Sequence, residues 1–292
     1  MQAHSAHTPT LWTIWGQTFT LLTQTFLSVR KIALGFFLLP LLLLEIFMGY
    51  QGIATGSAIQ SATTAQEQAP TASGYLNLVA SFYTFLGPYL FGLLAVMIVL
   101  LTGYIALILF FLQVRTEETI QPLKQICLRS LKLLLPKGIP FLGFFLLLSL
   151  EQAFFSSLRV FSAFALMAIV ISLYEKLGMW RSLLHALFFR YTGLQRGGAF
   201  RIAFILVMTL SFFSMAQVGL EFFFLHFHTG EGINTLPAFL RVPLWGMPFS
   251  LLGLLGHGLR LAGYSFLLTF LAGFSVTLYM EASPTLGERI MS

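Results

Sequence analysis

Two glutamates, Glu45 and Glu151, have the surroundings that most invite chemistry. Each lies inside a long apolar stretch, 14 residues after the lysine that opens it, Lys31 or Lys137. Along a helix that is about 21 Å, so both carboxylates reach a similar depth in the outer leaflet. An ionisable group inside a span costs several kcal/mol unless it is paired or hydrated. Facing a polar cavity, the two would bind a cation, a proton or a lipid amine, with Arg159 or Arg260 as counter-charge. Hydrated near the outer surface, or held in structural ion pairs, they would do no chemistry.

A second group, Glu221, His226, His228 and His257, also falls towards the outer face. A His-x-His pair can ligate metal in an extended segment. The spacing lacks the regularity of a zinc motif, and no metal or other cofactor is expected. Aspartate is absent, so acidic chemistry rests on ten glutamates and aspartyl mechanisms are excluded. No His-Glu-x-x-His, Gly-x-Ser-x-Gly or Walker-type loop occurs, and the expectation is a protein without enzymatic activity. Cys127 is the one cysteine, so no intramolecular disulfide forms.

The elements that must position these residues are membrane spans. Of 292 residues 57% are hydrophobic and 9% charged, against roughly 25% charged in a soluble domain. Too few polar residues exist to cover a core of this size, so lipid has to be that surface. A span needs about 20 apolar residues. Five stretches qualify: Ile32 to Tyr50, Tyr83 to Leu112, Gly138 to Leu158, Val160 to Tyr174 and Phe200 to Phe224. The last apolar region, Leu244 to Met280, contains Pro248, His257 and Arg260; it reads as a short lead-in helix and a sixth span from Leu261 to Met280. Pro40 and Pro88 predict local bends. Gly253, Gly256, Gly258 and Gly263 fit either close helix contact or a lined pathway.

Basic residues orient the spans. With six spans, Arg30, Lys31, Arg115, Lys124, Arg129, Lys132, Lys137, Lys176, Arg181, Arg190, Arg196, Arg201 and Arg289 fall inside, and Arg159, Arg241 and Arg260 outside. Both termini are then cytoplasmic, and the sequence from Met1 to Thr10 lacks the charge of a secretory signal. The basic residues flank spans instead of forming one patch, which argues against nucleic acid as a partner.

Amphipathic segments precede the outgoing spans. Leu11, Trp12, Ile14, Trp15, Phe19, Leu22 and Phe26 form one apolar series; Ile120, Leu123, Ile126, Cys127 and Leu131 a second; Trp180, Leu183, Leu184, Leu187 and Tyr191 a third. Each fits a helix lying on the membrane surface. Trp12 to Arg30, Ile120 to Lys137 and Trp180 to Arg196 cover 18, 17 and 16 residues, and the returning spans end alike in Gln113-Val114-Arg115, Leu173-Tyr174-Glu175 and Leu278-Tyr279-Met280-Glu281. One integral membrane domain over residues 1–292, built as three units of surface helix plus hairpin (10–112, 117–175 and 178–281), fits this punctuation. So does any in-out protein with amphipathic inner loops. The fold class expected is all-α and polytopic, with about six spans.

A returning span ending in Tyr174-Glu175-Lys176, followed by Gly178, the pair Ala186-Leu187 in a basic helix, and Arg196-Gly197 before the next span, resembles the membrane domain of bacterial glycerophosphoryl diester phosphodiesterases and its stand-alone inner-membrane relatives. Here Gly178 to Ala186 is about one helical turn longer than that pattern, and Phe188-Phe189-Arg190 stands where Arg-Arg-Ser is usual. The resemblance implies a bacterial inner-membrane location and a multi-pass fold; no phosphodiesterase domain accompanies it, so that activity does not follow.

The function expected is organisation of membrane lipid or of an envelope protein partner. Arg30, Lys31, Lys124, Arg129, Lys132, Lys137, Arg181, Arg190, Arg196 and Arg201 are the headgroup-binding candidates, since juxtamembrane cations gain about 1 kcal/mol each near anionic lipid. The alternative is a transporter or flippase working through Glu45 and Glu151.

Overall fold

The computed structural model describes residues 10–44, 72–116, 120–140, 159–188, 204–205, 207–209, 211–212, 215–216, 219, 241–244, 247–250 and 251–282. Over 72–86, 88–90, 93, 159–165, 187–188, 241–244, 247–257 and 282 it describes backbone alone.

Helix α1 (Leu11–Gln24) starts where the Thr10 hydroxyl accepts the Thr13 amide at 3.2 Å, an ordinary N-cap. It breaks at Thr25, whose hydroxyl donates back to Leu21 O at 2.6 Å. Helix α2 (Phe26–Ala33) follows and passes through a π turn, Leu34–Leu38, into helix that continues to Leu44. Pro40 lies just beyond, and its ring crowds the carbonyl of Phe36, four residues back. The widened turn relieves that crowding without ending the helix. Helix α3 (Ala72–Arg115) is 44 residues long, about 66 Å, roughly twice the hydrocarbon thickness of a bilayer.

Helix α4 (Leu123–Leu133) also runs into a π turn, Leu134–Gly138, which holds Pro136. Helix α5 (Arg159–Tyr174) and helix α6 (Met179–Phe188) are joined by a tight turn in which Lys176 takes φ 58°. That left-handed conformation is costly for a residue with a Cβ. Strands β1 (Arg241–Leu244) and β2 (Met247–Ser250) pair antiparallel, Arg241 opposite Ser250. Helix α7 (Leu251–Ala282) then runs unbroken for 32 residues. The lead-in helix and break expected near His257 and Arg260 are therefore replaced by a short hairpin and one continuous helix. A helix keeps its own backbone bonds satisfied, so two polar side chains do not force a break in it.

Among the described residues three stretches are long and apolar enough to cross a membrane: Phe26–Leu44, Leu94–Arg115 and Gly258–Glu281, of 19, 22 and 24 residues. The protein is a largely helical, multi-pass membrane protein. Glu45, Glu151, Arg190, Arg196, Arg201, Glu221, His226 and His228 lie outside the described residues.

The core sits at the C-terminal ends of α3, α5 and α7. Leu101–Leu112, Leu166–Leu173 and Ala272–Tyr279 are buried on every side, as central helices are. Earlier in α3 and α7 some side chains stand open, with Phe91 74%, Leu259 61% and Phe266 52% exposed, while Leu261, Ser265, Thr269 and Phe270 of α7 are buried. Each buried end carries one amphipathic helix: α4 packs along α3, α6 along α5, and α1 along α7.

Candidate functional site

The polar groups of these three pairs meet where α3, α5 and α7 end. Glu175 accepts a hydrogen bond from the Tyr279 hydroxyl at 2.8 Å through Oε1, and its Oε2 lies 3.1 Å from His185 Nδ1 on α6. The Tyr174 and Tyr279 rings pack with centroids 5.5 Å apart. Two of the three similar sequence endings thus touch each other. Arg115 closes the third pair: its Nη2 donates to Gln17 Oε1 of α1 at 3.3 Å and reaches Thr277 Oγ1 at 3.5 Å. The Lys137 ammonium, at the end of α4, donates to Leu177 O, which also accepts from Ser172 Oγ at 2.9 Å. Partial burial pulls that ammonium below its ordinary value.

Gln17, Lys137 and His185 therefore act as one polar tether per amphipathic helix. Among the described residues the arrangement is a set of latches between helices. Glu175 and His185 could exchange a proton, but the described hydroxyls nearby are engaged: Ser182 Oγ donates to Gly178 O at 2.9 Å and Tyr279 donates to Glu175 itself. Among the described residues no three metal-ligating side chains gather.

The outer surface of the same end is cationic and apolar together. Arg30, Lys31, Lys124, Arg129, Lys132, Lys176 and Arg181 are exposed, whereas Lys137 turns inward. Trp12, Ile120 and Trp180, the residues that open the three amphipathic segments, are 76%, 55% and 72% exposed. Tryptophan favours the headgroup level, with an apolar ring and one polar N–H. The apolar series of these helices divide between two faces. Ile14, Leu21 and Leu22 of α1, Ile126 of α4, and Leu183 and Ala186 of α6 are buried; Phe19 and Phe26, Leu128 and Leu131, and Leu184 stand out from the protein. An element between a protein core and lipid needs apolar residues on both sides. Arg260 is half-buried on α7, and of Arg159 only the backbone, at the start of α5, is described.

A groove of about 320 Å³ runs between α1–α2 and α7, lined by Leu22, Phe26, Val29, Arg30, Ala33, Leu34, Leu38, Ala262, Ser265, Phe266 and Thr269. The helices are antiparallel here. Gly273 approaches Thr18, the Phe19 and Phe270 rings lie 5.0 Å apart, and the groove continues from there toward Ala262. Trp15 fixes the head of this pairing, donating from Nε1 to Thr209 Oγ1 at 3.1 Å and packing edge-on against Phe270.

The groove and the close approach at Gly103 were missed by sequence reasoning. A Cβ on Gly103 would fall on top of Phe36 Cβ and 3.0 Å from Phe37 Cε1. The only available signal was a glycine among large residues in the second span. Gly258, one of the glycines that fit either close helix contact or a lined pathway, has nothing within 4 Å of its would-be Cβ among the described residues.

Comparison of the chain with protein-family models, with curated proteins and with solved structures gives no match.

Proposed function

We propose that this protein is a non-enzymatic organiser of anionic membrane lipid, held in a bacterial inner membrane by six spans with both termini in the cytoplasm. The observation that carries the reading is the exposed mixture of cations and large apolar side chains around one end of the bundle. Arg30, Lys31, Lys124, Arg129, Lys132 and Arg181 would meet phosphates, while Trp12, Ile120 and Trp180 enter the interface between them. The excess of Lys and Arg at this end supports its being cytoplasmic.

A threefold build belongs to the same proposal. Three buried helix ends each carry one amphipathic helix, and two of the amphipathic segments, α2 and α4, run into a π turn. The first amphipathic helix packs on the last long helix, which would close the set. The likeness to the membrane domain of glycerophosphoryl diester phosphodiesterases, and an envelope protein partner resting on the same collar, are part of the reading. A transport mechanism would rest on Glu45 and Glu151, which lie outside the described residues.

The test is reconstitution in nanodiscs of phosphatidylcholine alone and with phosphatidylglycerol. The thermal midpoint and the lipid retained after gel filtration should both rise with the anionic lipid, and salt should weaken the effect. Equal stability and equal retained lipid in the two bilayers would refute it.

A further inference from the structure

We infer that the groove between α2 and α7 is a phospholipid subsite, taking one acyl chain along its apolar wall with the lipid phosphate on Arg30. The inference rests on the proposed lipid-organising function and names one defined site within it.

Three observations identify the occupant. The wall is aliphatic and aromatic, and its two hydroxyls are already spent: Ser265 Oγ donates to Leu261 O at 2.9 Å and Thr269 Oγ1 to Ser265 O at 2.7 Å. With both hydroxyl protons already donated, a peptide strand would find no donor along that wall for its backbone carbonyls, and each unpaired group in an apolar setting costs several kcal/mol. A hydrocarbon chain has none to satisfy.

The second observation is charge. Among the described residues Arg30 is the one ionisable residue that lines the groove. Its guanidinium carbon lies 6.0 Å from the centroid of the Phe26 ring. A planar guanidinium of this kind suits a phosphodiester better than a choline or ethanolamine cation.

The third is depth. From Arg30 to Leu38 the wall descends 8 residues, about 12 Å, through Ala33 and Leu34. One leaflet of hydrocarbon is about 15 Å deep, so a chain whose phosphate sits at Arg30 runs the length of that wall within its own leaflet.

The experiment uses the full-length protein in nanodiscs containing a phosphatidylglycerol whose acyl chain carries a diazirine. After illumination, wild type should show crosslinks at Leu34 and Phe266. Ala262→Trp fills the groove and should abolish those crosslinks while leaving the general dependence on anionic lipid intact. Arg30→Gln should lower phosphatidylglycerol occupancy about five-fold, the factor that ~1 kcal/mol per headgroup contact yields. A diacylglycerol probe, which lacks the phosphate, that labels Leu34 and Phe266 as strongly as phosphatidylglycerol would overturn the assignment, because the groove would then take an acyl chain without reference to Arg30. Unchanged crosslinks in Ala262→Trp would overturn it too, as would an intramolecular crosslink showing a segment of this chain in the groove. Failure of the wider function reads differently: groove crosslinks would persist with Arg30 dependence while total retained lipid ignored headgroup charge.

Discussion

Replacing Gly103 by alanine tests the packing that creates the collar. Gly103 lies on the buried part of α3 against the π turn that follows α2. A Cβ there would overlap Phe36 Cβ and come within 3.0 Å of Phe36 Cγ and Phe37 Cε1. The Phe36 Cβ is fixed to the backbone and cannot rotate away, and Phe37 is fully buried. Relief therefore requires α2 and α3 to separate or the π turn to shift. Overpacking of this kind costs about 1–3 kcal/mol, and the gain in helix propensity from Gly to Ala offsets at most about 1 kcal/mol of it. A net loss of about 1–2 kcal/mol corresponds to a fall of roughly 2–3 °C in thermal midpoint for a chain of this size.

The assay is thermal unfolding in detergent micelles, read by tryptophan fluorescence. Gly273→Ala is the matched control. Its Cβ would lie 3.5 Å from Phe111 Cε2 and from Thr18 Cγ2, ordinary contact distances, so the variant should equal or exceed wild type in stability. If Gly103→Ala were as stable as Gly273→Ala, the close approach of the π turn to α3 would be refuted.

Two further variants or conditions probe the latches. Tyr279→Phe deletes the hydroxyl that donates to Glu175 at 2.8 Å but keeps the ring against Tyr174; with Glu175 partly open to solvent, the loss should be about 1 kcal/mol. An unchanged midpoint in chemical or thermal unfolding would mean that this bond contributes nothing to holding α5 against α7. Cys127 on α4 has its thiol pushed up by burial, so less thiolate exists at a given pH than on a free cysteine. Iodoacetamide alkylation of the folded protein should therefore be slow at pH 8 and should accelerate at a higher pH than in the denatured protein. The linked stability is complete below the unfolded thiol value and is lost as pH rises through the folded one. Identical rate profiles in the two states would show that α4 does not pack as described.

Hydropathy and charge made much of this architecture legible. The amphipathic segments around Trp12, Ile120 and Trp180 were readable because polar residues at helical spacing, Thr and Gln in the first and cations in the other two, interrupt otherwise apolar sequence. The second, fourth and last apolar stretches correspond to α3, α5 and α7. The division of the apolar residues was not readable. Leu183 is buried and Leu184 is exposed, yet hydropathy treats them alike, because lipid and protein core are both apolar. The continuous α7 was hidden for a related reason: His257 and Arg260 look like a break only if polarity is taken to imply irregular backbone, and a helix can carry both. The pairing of Glu175 with Tyr279 spans 104 residues, and no local pattern could announce it, although the shared Leu-Tyr ending marked both positions as alike.

The same ambiguity explains why the cationic residues cluster on helices that are not themselves the core. A basic side chain on α3, α5 or α7 at the buried ends would have to displace packed Leu, Ile and Phe, with desolvation to match. Arg115 is the exception, and Gln17 and Thr277 satisfy it at the cost of leaving its Nε buried with no hydrogen-bond partner among the described residues. Placing charge on α2, α4 and α6 avoids that penalty, since Arg30, Lys31, Lys124, Arg129, Lys132 and Arg181 there are exposed. The amphipathic helices thus have two faces: the inner apolar face closes the bundle, and under the proposed function the outer face would meet anionic lipid. The single polar tethers at Gln17, Lys137 and His185 hold the two tasks in register.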